Sequence, residues 1–142
     1  MDPPVAIRLG PAAPVPLAAS TVAAGFPSPA DDHAEDGLDL SRRFVRHPTS
    51  TFVVRSTGDS LTGRGILAGD YLVVDRSRTP RDDEVVLAIV DGAFTAKVFK
   101  TCAGRTTLVA AHPAYPPIPW HEGCEVWGVV TSVHRDLLPT AR

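Results

Sequence analysis

From residue 51 onward, apolar and polar positions follow one another in short runs that suit strands. "TFVVRS", "DYLVVDR", "EVVLAIVDGAFTAKVFK", "TTLVAAH" and "EVWGVVTSVH" are rich in β-branched and aromatic residues, and Gly, Pro or Asp punctuates each. Between them there is no helical pattern of the roughly 10 to 15 residues that a parallel α/β crossover needs. The pattern therefore predicts a mostly β body.

The clearest local element is a hairpin through Asp91-Gly92, because Asp-Gly supplies the two positive-φ positions of a type I′ turn. A two-residue loop sets the register: Val90 opposite Ala93, Ile89 opposite Phe94, Ala88 opposite Thr95, Leu87 opposite Ala96 and Val86 opposite Lys97. By period-two alternation Lys97 shares its face with Thr95, Phe99, Val86 and Ala88, so it meets no acidic partner within the hairpin.

The first thirty residues read differently. They hold seven of the chain's fourteen prolines, which predicts an extended, hydrogen-bond-poor arm over residues 1–30 rather than helix or sheet, followed by a domain over residues 31–142. "DDHAEDGLDLSRRFVRH" is compatible with a short helix or an irregular segment, with Leu38, Leu40, Phe44 and Val45 as apolar anchors. Where the composition changes, "TVAAGFPSPADD" sets Ala23, Ala24 and Gly25 side by side. Such small residues suit a hinge, a processing site or neither.

Charge sharpens this division. The net charge is -2, which excludes a bulk basic field for nucleic acid or anionic lipid. Residues 1–40 carry one basic and six acidic side chains, whereas residues 41–142 carry thirteen and ten, so an acidic arm precedes a mildly basic body. Two cysteines, Cys102 and Cys124, have neither metal-type spacing nor the numbers of a disulfide framework, and the expectation is a reducing cytoplasm with no metal or other cofactor. No apolar run reaches the roughly 18 residues of a membrane span. Val22 and Ala24 have the spacing that a signal peptidase reads, but Pro11, Pro14 and Pro16 interrupt the required apolar helix and Asp2 is the first charge.

Lysine is the rare cation here, two residues against twelve arginines. Arginine keeps its proton, whereas a lysine desolvated among apolar neighbours can lose its own and act as a base. Lys97 is thus a candidate general base, or else a lysine whose stem covers an apolar face while its ammonium reaches water. Ser60 in "RSTGDSLTGRG" is the candidate nucleophile, because it follows a strand within a Gly-rich turn whose amides could converge on an oxyanion; the competing reading is a plain turn former. His33, His47, His112, His121 and His134 are scattered, and none is singled out for a Ser-His-Asp triad. Trp120 and Trp127 suit a core or a contact surface better than a base-stacking platform.

"AGFPSPADD", "DLSRRFVRHPTSTFVVRSTGDSL", "ILAGDYLVVDRS" and "VVLAIVDGAFTAKVF" resemble, in order and spacing, the UmuD branch of the LexA-like Ser-Lys autoproteases, over residues 24–134. The resemblance implies a twisted, mostly β domain of the LexA and signal-peptidase type with an extended N-terminal arm. It also implies a nucleophile at Ser60, a base at Lys97, a scissile bond between Ala24 and Gly25, and oxyanion donors from the backbone of Ser60 and Asp59. The implied activity is self-cleavage stimulated by RecA filaments on single-stranded DNA in the SOS damage response. The processed chain would serve, as a homodimer, a UmuC-like translesion polymerase subunit. A non-cleaving binding subunit and a LexA-like repressor relative are the alternatives. The repressor is disfavoured, since twenty-four proline-interrupted residues before the bond cannot hold a helix-turn-helix, and no sequence-specific DNA binding is expected. The chain departs from the family pattern at Leu61 (usually Met), at Ala24 (commonly Cys), at Asp83-Glu84 (usually Gly-Asp), and at Ala110 and His112 (usually Pro and Asn). The last departure leaves the packing of the loop over residues 110–118 open and alters neither Ser60 nor Lys97.

Overall fold

The computed structural model describes residues 5–6, 9–18, 24–25 and 34–138. Two units are distinguished: residues 9–46, and residues 47–142 together with residues 1–8.

The larger unit is built on one sheet. Its strands are β1 (Val5–Ala6), β4 (Thr51–Arg55), β5 (Tyr71–Asp75), β6 (Val85–Val90), β7 (Ala93–Cys102), β8 (Arg105–Val109), β9 (Ile118–Pro119) and β10 (Cys124–His134). They lie in the order β1-β4-β5-β10-β6-β7-β8-β9, and each neighbouring pair is antiparallel. The mostly β expectation holds. The five apolar runs singled out in the sequence supply β4, β5, β6 with β7, β8 and β10.

The hairpin has the predicted register, Val90 opposite Ala93 through Val86 opposite Lys97. Asp91 and Gly92 take φ values of 49° and 84°, the left-handed pair that a type I′ turn requires. The last strand, β10, pairs with β6 along one part and with β5 along another, and its register slips between Val126 and Gly128 and again between Val130 and Ser132. Such bulges bend a long strand, which lets this one serve both neighbours.

Strand β6 is an unbroken apolar run because both of its faces are covered. Leu87 belongs to a cluster with Val54, Leu61, Ile66, Leu72, Val74 and Val98, while Val86 and Ala88 face Leu108 and Val129. Leu72, Leu87 and Leu108 are almost wholly buried, and each contributes about 1.5–3 kcal/mol of transfer free energy. The first cluster matters most for function, since Leu61 and Ile66 bring the segment after Ser60 down onto the sheet.

In the smaller unit, the expectation that residues 1–30 lack sheet fails in part. Strand β2 (Val15–Ala18) pairs with β3 (Ala34–Leu38), and in the larger unit β1 pairs with Val53 and Phe52 of β4. A strand at an edge tolerates proline, which is already extended and merely cannot donate to a ladder. The β2 register breaks between Val15 and Leu17, at Pro16. The short helix appears as α1 (Leu40–Phe44), capped by the Asp39 carboxylate, which accepts from Arg42 N at 3.1 Å. Val45 is buried as anticipated, whereas Leu40 is exposed because it lies in the first turn of so short a helix.

Candidate active site

Ser60 sits just beyond β4 in a turn that its glycines and backbone bonds define. The chain leaves β4 with Ser56 N donating to Asp70 O at 2.7 Å, and Gly69 N returns a bond to Ser56 O at 2.8 Å. Gly58 then takes φ +79°, which reverses the chain without a Cβ penalty. After Ser60, Leu61 is buried at 3% exposure, and a 3-10 turn over Thr62–Arg64 ends in Gly65 at φ 74°. Leu61 is thus an apolar peg in the core.

Lys97 comes from the middle of β7 and is 8% exposed. Its Nζ lies 2.7 Å from Thr95 Oγ1, 3.2 Å from Ala96 O and 3.3 Å from Ser60 Oγ. Among the described residues it has no carboxylate in ion-pair range, as the hairpin register predicted. Burial holds its pKa below the usual lysine range, because the charged form has lost water and gained no counter-ion.

The Ala96 carbonyl can only accept, so it takes one N–H from Nζ, and Thr95 Oγ1 takes a second. Ser60 Oγ lies at the third position, where an ammonium donates a third N–H and a neutral amine presents its lone pair. A cleft of about 210 Å³ opens over the pair, walled by Leu61, Ile66, Leu72, Phe94 and Tyr115.

The loop after β8, whose packing the sequence left open, supports the nucleophile turn. Ala111 N donates to Ser60 O at 2.7 Å, and Gly63 N donates to Ala111 O at 2.9 Å. Tyr115 Oη donates to Asp59 Oδ1 at 2.6 Å, and His112 Nε2 lies 3.5 Å from Asp59 Oδ2. The Tyr115 hydrogen bond and the nearby His112 hold the Asp59 pKa below the usual carboxylate range, and the same bond raises that of Tyr115. The sequence signal was the proline-flanked aromatic in "HPAYPPI", which had no partner until the fold supplied Asp59.

A second tie spans the two site segments. Asp83 has φ 71°, a left-handed position that glycine takes without a Cβ penalty. Asp tolerates this backbone, and its carboxylate takes Arg64 from the 3-10 turn and Lys100 from β7, each at 2.5 Å.

Ala24 and Gly25 form an exposed bend in the smaller unit. Pro27, Pro29 and His33 lie outside the described residues. A Ser-His-Asp grouping does occur, at Ser77, His47 and Asp75, but it lacks the relay geometry. Both Asp75 Oδ2 (2.6 Å) and Ser77 Oγ (3.3 Å) lie on His47 Nδ1, and Ser77 donates its own proton to Asp75 Oδ1. Trp127 packs edge-on to Phe52 and Phe94, with Arg76 over its face, which is a packing role, while Trp120 is exposed. Among the described residues, no group of three His, Cys, Asp or Glu side chains is placed to hold a metal, and no helix is long and apolar enough to cross a membrane.

The antiparallel β body sets the Ser60 hydroxyl 3.3 Å from the buried Lys97 amine. Residues 16–131 match the family described as Peptidase S24-like, and the chain belongs to that family. It is 40% identical to Protein SamA of Salmonella typhimurium over 84% of this chain and 85% of that protein. Protein MucA of Escherichia coli is 38% identical, over 82% of each chain. The LexA repressor of Mycolicibacterium smegmatis is 35% identical over 80% of this chain but 46% of its own length. The UmuD-like resemblance read from the motifs therefore holds.

Proposed function

We propose that this chain is a self-cleaving serine peptidase that cuts its own bond between Ala24 and Gly25, with Ser60 as nucleophile and Lys97 as general base. The observation that carries this reading is the 3.3 Å approach of Lys97 Nζ to Ser60 Oγ, made by a buried lysine with no counter-ion described beside it. Neutral Lys97 takes the Ser60 proton as Oγ attacks the Ala24 carbonyl carbon. The backbone amides of Ser60 and Asp59 hold the resulting oxyanion. The proton passes from Lys97 to the Gly25 nitrogen as the C–N bond breaks, and Gly25 leaves as a new N-terminus. Water, deprotonated by Lys97, then attacks the Ser60 ester, releasing the Ala24 carboxylate and restoring the hydroxyl.

In this reading residues 1–30 form the arm that presents the bond, and residues 31–142 form the peptidase domain. Membership of the S24-like family, together with relatives of the UmuD type, supports a place in the SOS response. RecA filaments on single-stranded DNA stimulate the cut, and residues 25–142, as a homodimer, serve a UmuC-like translesion polymerase in the cytoplasm.

The test is incubation of the purified chain at pH about 10, where the lowered pKa of Lys97 favours the neutral amine, with the 1–24 fragment followed by mass spectrometry. Ser60→Ala and Lys97→Arg are expected to abolish the fragment. If both variants cut as fast as the parent chain, the mechanism is wrong. Absence of the fragment even with RecA, ATP and single-stranded DNA would favour a non-cleaving binding subunit.

A further inference from the structure

We propose that Tyr115 is a positioning residue for the Ser60–Lys97 reaction, fixing the nucleophile turn through its hydroxyl and keeping water from the lysine with its ring. This inference rests on the dyad reading above. Nothing in the Ser60 or Lys97 motifs points to Tyr115, which lies 56 residues beyond the carboxylate it binds.

Its first contribution is a tether. Asp59 immediately precedes Ser60, and a rigid scaffold must hold the backbone there if two amides are to converge on an oxyanion. Both Asp59 oxygens are engaged from one loop, Oδ1 by the Tyr115 hydroxyl at 2.6 Å and Oδ2 by His112 Nε2 at 3.5 Å. His112 is itself oriented, since its Nδ1 accepts from Ala114 N at 3.0 Å, which leaves the Nε2 proton to face Asp59. The two rings meet edge to face with centroids 5.4 Å apart, so they brace one another.

The second contribution is shielding. The Tyr115 ring walls the cleft over Lys97, with its centroid 6.0 Å from Nζ. At that distance cation-π attraction is at its limit, so the ring does little to favour the ammonium. Tyr115 is itself 41% exposed, and its ring covers one side of the cleft at Nζ, where displacing water favours the neutral amine. Among the described residues, the other groups bonded to Nζ are Ser60 from the turn, Thr95 and the Ala96 carbonyl from β7, and none of these carries charge. Asp59, the charged residue of the turn, directs its carboxylate to Tyr115 and His112.

The two contributions separate experimentally. In the uncut Ser60→Ala chain, the Lys97 side-chain carbon signal is titrated by NMR with and without Tyr115→Ala. The midpoint is expected to rise on the order of one pH unit with Tyr115→Ala and to stay in place with Tyr115→Phe, which keeps the ring. In the chain that retains Ser60, Tyr115→Phe is expected to slow self-cleavage roughly tenfold without moving its pH midpoint, through loss of the Asp59 tether alone. An unchanged Lys97 midpoint in folded Tyr115→Ala, checked by circular dichroism, overturns the shielding, and a parent-like cutting rate in Tyr115→Phe overturns the tether. The titration requires no cutting, so it tests Tyr115 even if the Ser60→Ala and Lys97→Arg controls were to sink the dyad.

Discussion

The amide of Ala111 donates to the carbonyl of Ser60 at 2.7 Å, and the Ala111 carbonyl accepts from Gly63 at 2.9 Å. This pair of bonds joins the loop after β8 to the nucleophile turn as a short ladder. It brings the backbones so close that a Cβ on Gly63 would lie 2.6 Å from Ala111 O.

Gly63→Ala is therefore expected to force the loop and the turn apart. The cost should be about 1–3 kcal/mol in a urea melt, as for other overpacked sites. Self-cleavage at alkaline pH should slow as well, because Ser60 moves with the turn. A variant that melts and cuts like the parent chain would show that the close approach is not maintained.

Lys97 links catalysis to stability. Burial holds its folded-state pKa below the ordinary lysine value of 10.5. Below the lowered folded value the buried ammonium is fully penalised. Between that value and 10.5 the unfolded chain binds more protons, so stability rises with pH and the penalty disappears above the window. Lys97→Met should stabilise the fold at pH 7 by on the order of 1 kcal/mol while abolishing cutting, with the gain shrinking towards pH about 10. Denaturation midpoints at the two pH values test this. An equal or larger gain at the higher pH would contradict a buried, unpaired ammonium.

Asp75 has the opposite sign. Burial by itself raises its pKa, but bonds from Ser77, His47 and Ser50 outweigh burial and bring it from 3.8 to about 2. Its contribution is fully present above 3.8 and is lost as pH falls through about 2. Asp75→Asn should cost about 2 kcal/mol at pH 6 and almost nothing near pH 2. Urea melts across that range are the measurement, and parallel profiles for the two chains would refute the assignment.

Much of the sheet was legible because its rules are local. Period-two apolar runs gave the strands of the larger sheet from β4 onward, apart from the two-residue β9, and Asp91-Gly92 set the hairpin register that places Lys97 opposite Val86. The two-stranded pairing of β2 with β3 was not legible, since Pro14 and Pro16 suggest an unpaired arm and their tolerance at an edge depends on which neighbour is present. Asp83 was likewise visible only as a departure from Gly until its φ of 71° and its bonds to Arg64 and Lys100 gave it a reason.

The sequence by itself determined the mostly β class, the hairpin, and the unusual pairing of a Gly-rich serine turn with one of two lysines in an arginine-rich chain. Tertiary structure alone decided that Lys97, 37 residues after Ser60, stands within reach of it, and that Ala111 and Tyr115 from a third segment support the turn. The physical reason is one of range. Alternation and turn chemistry act over a few residues, whereas burial of Lys97 and support of Ser60 arise when distant strands close over a common core and exclude water from it.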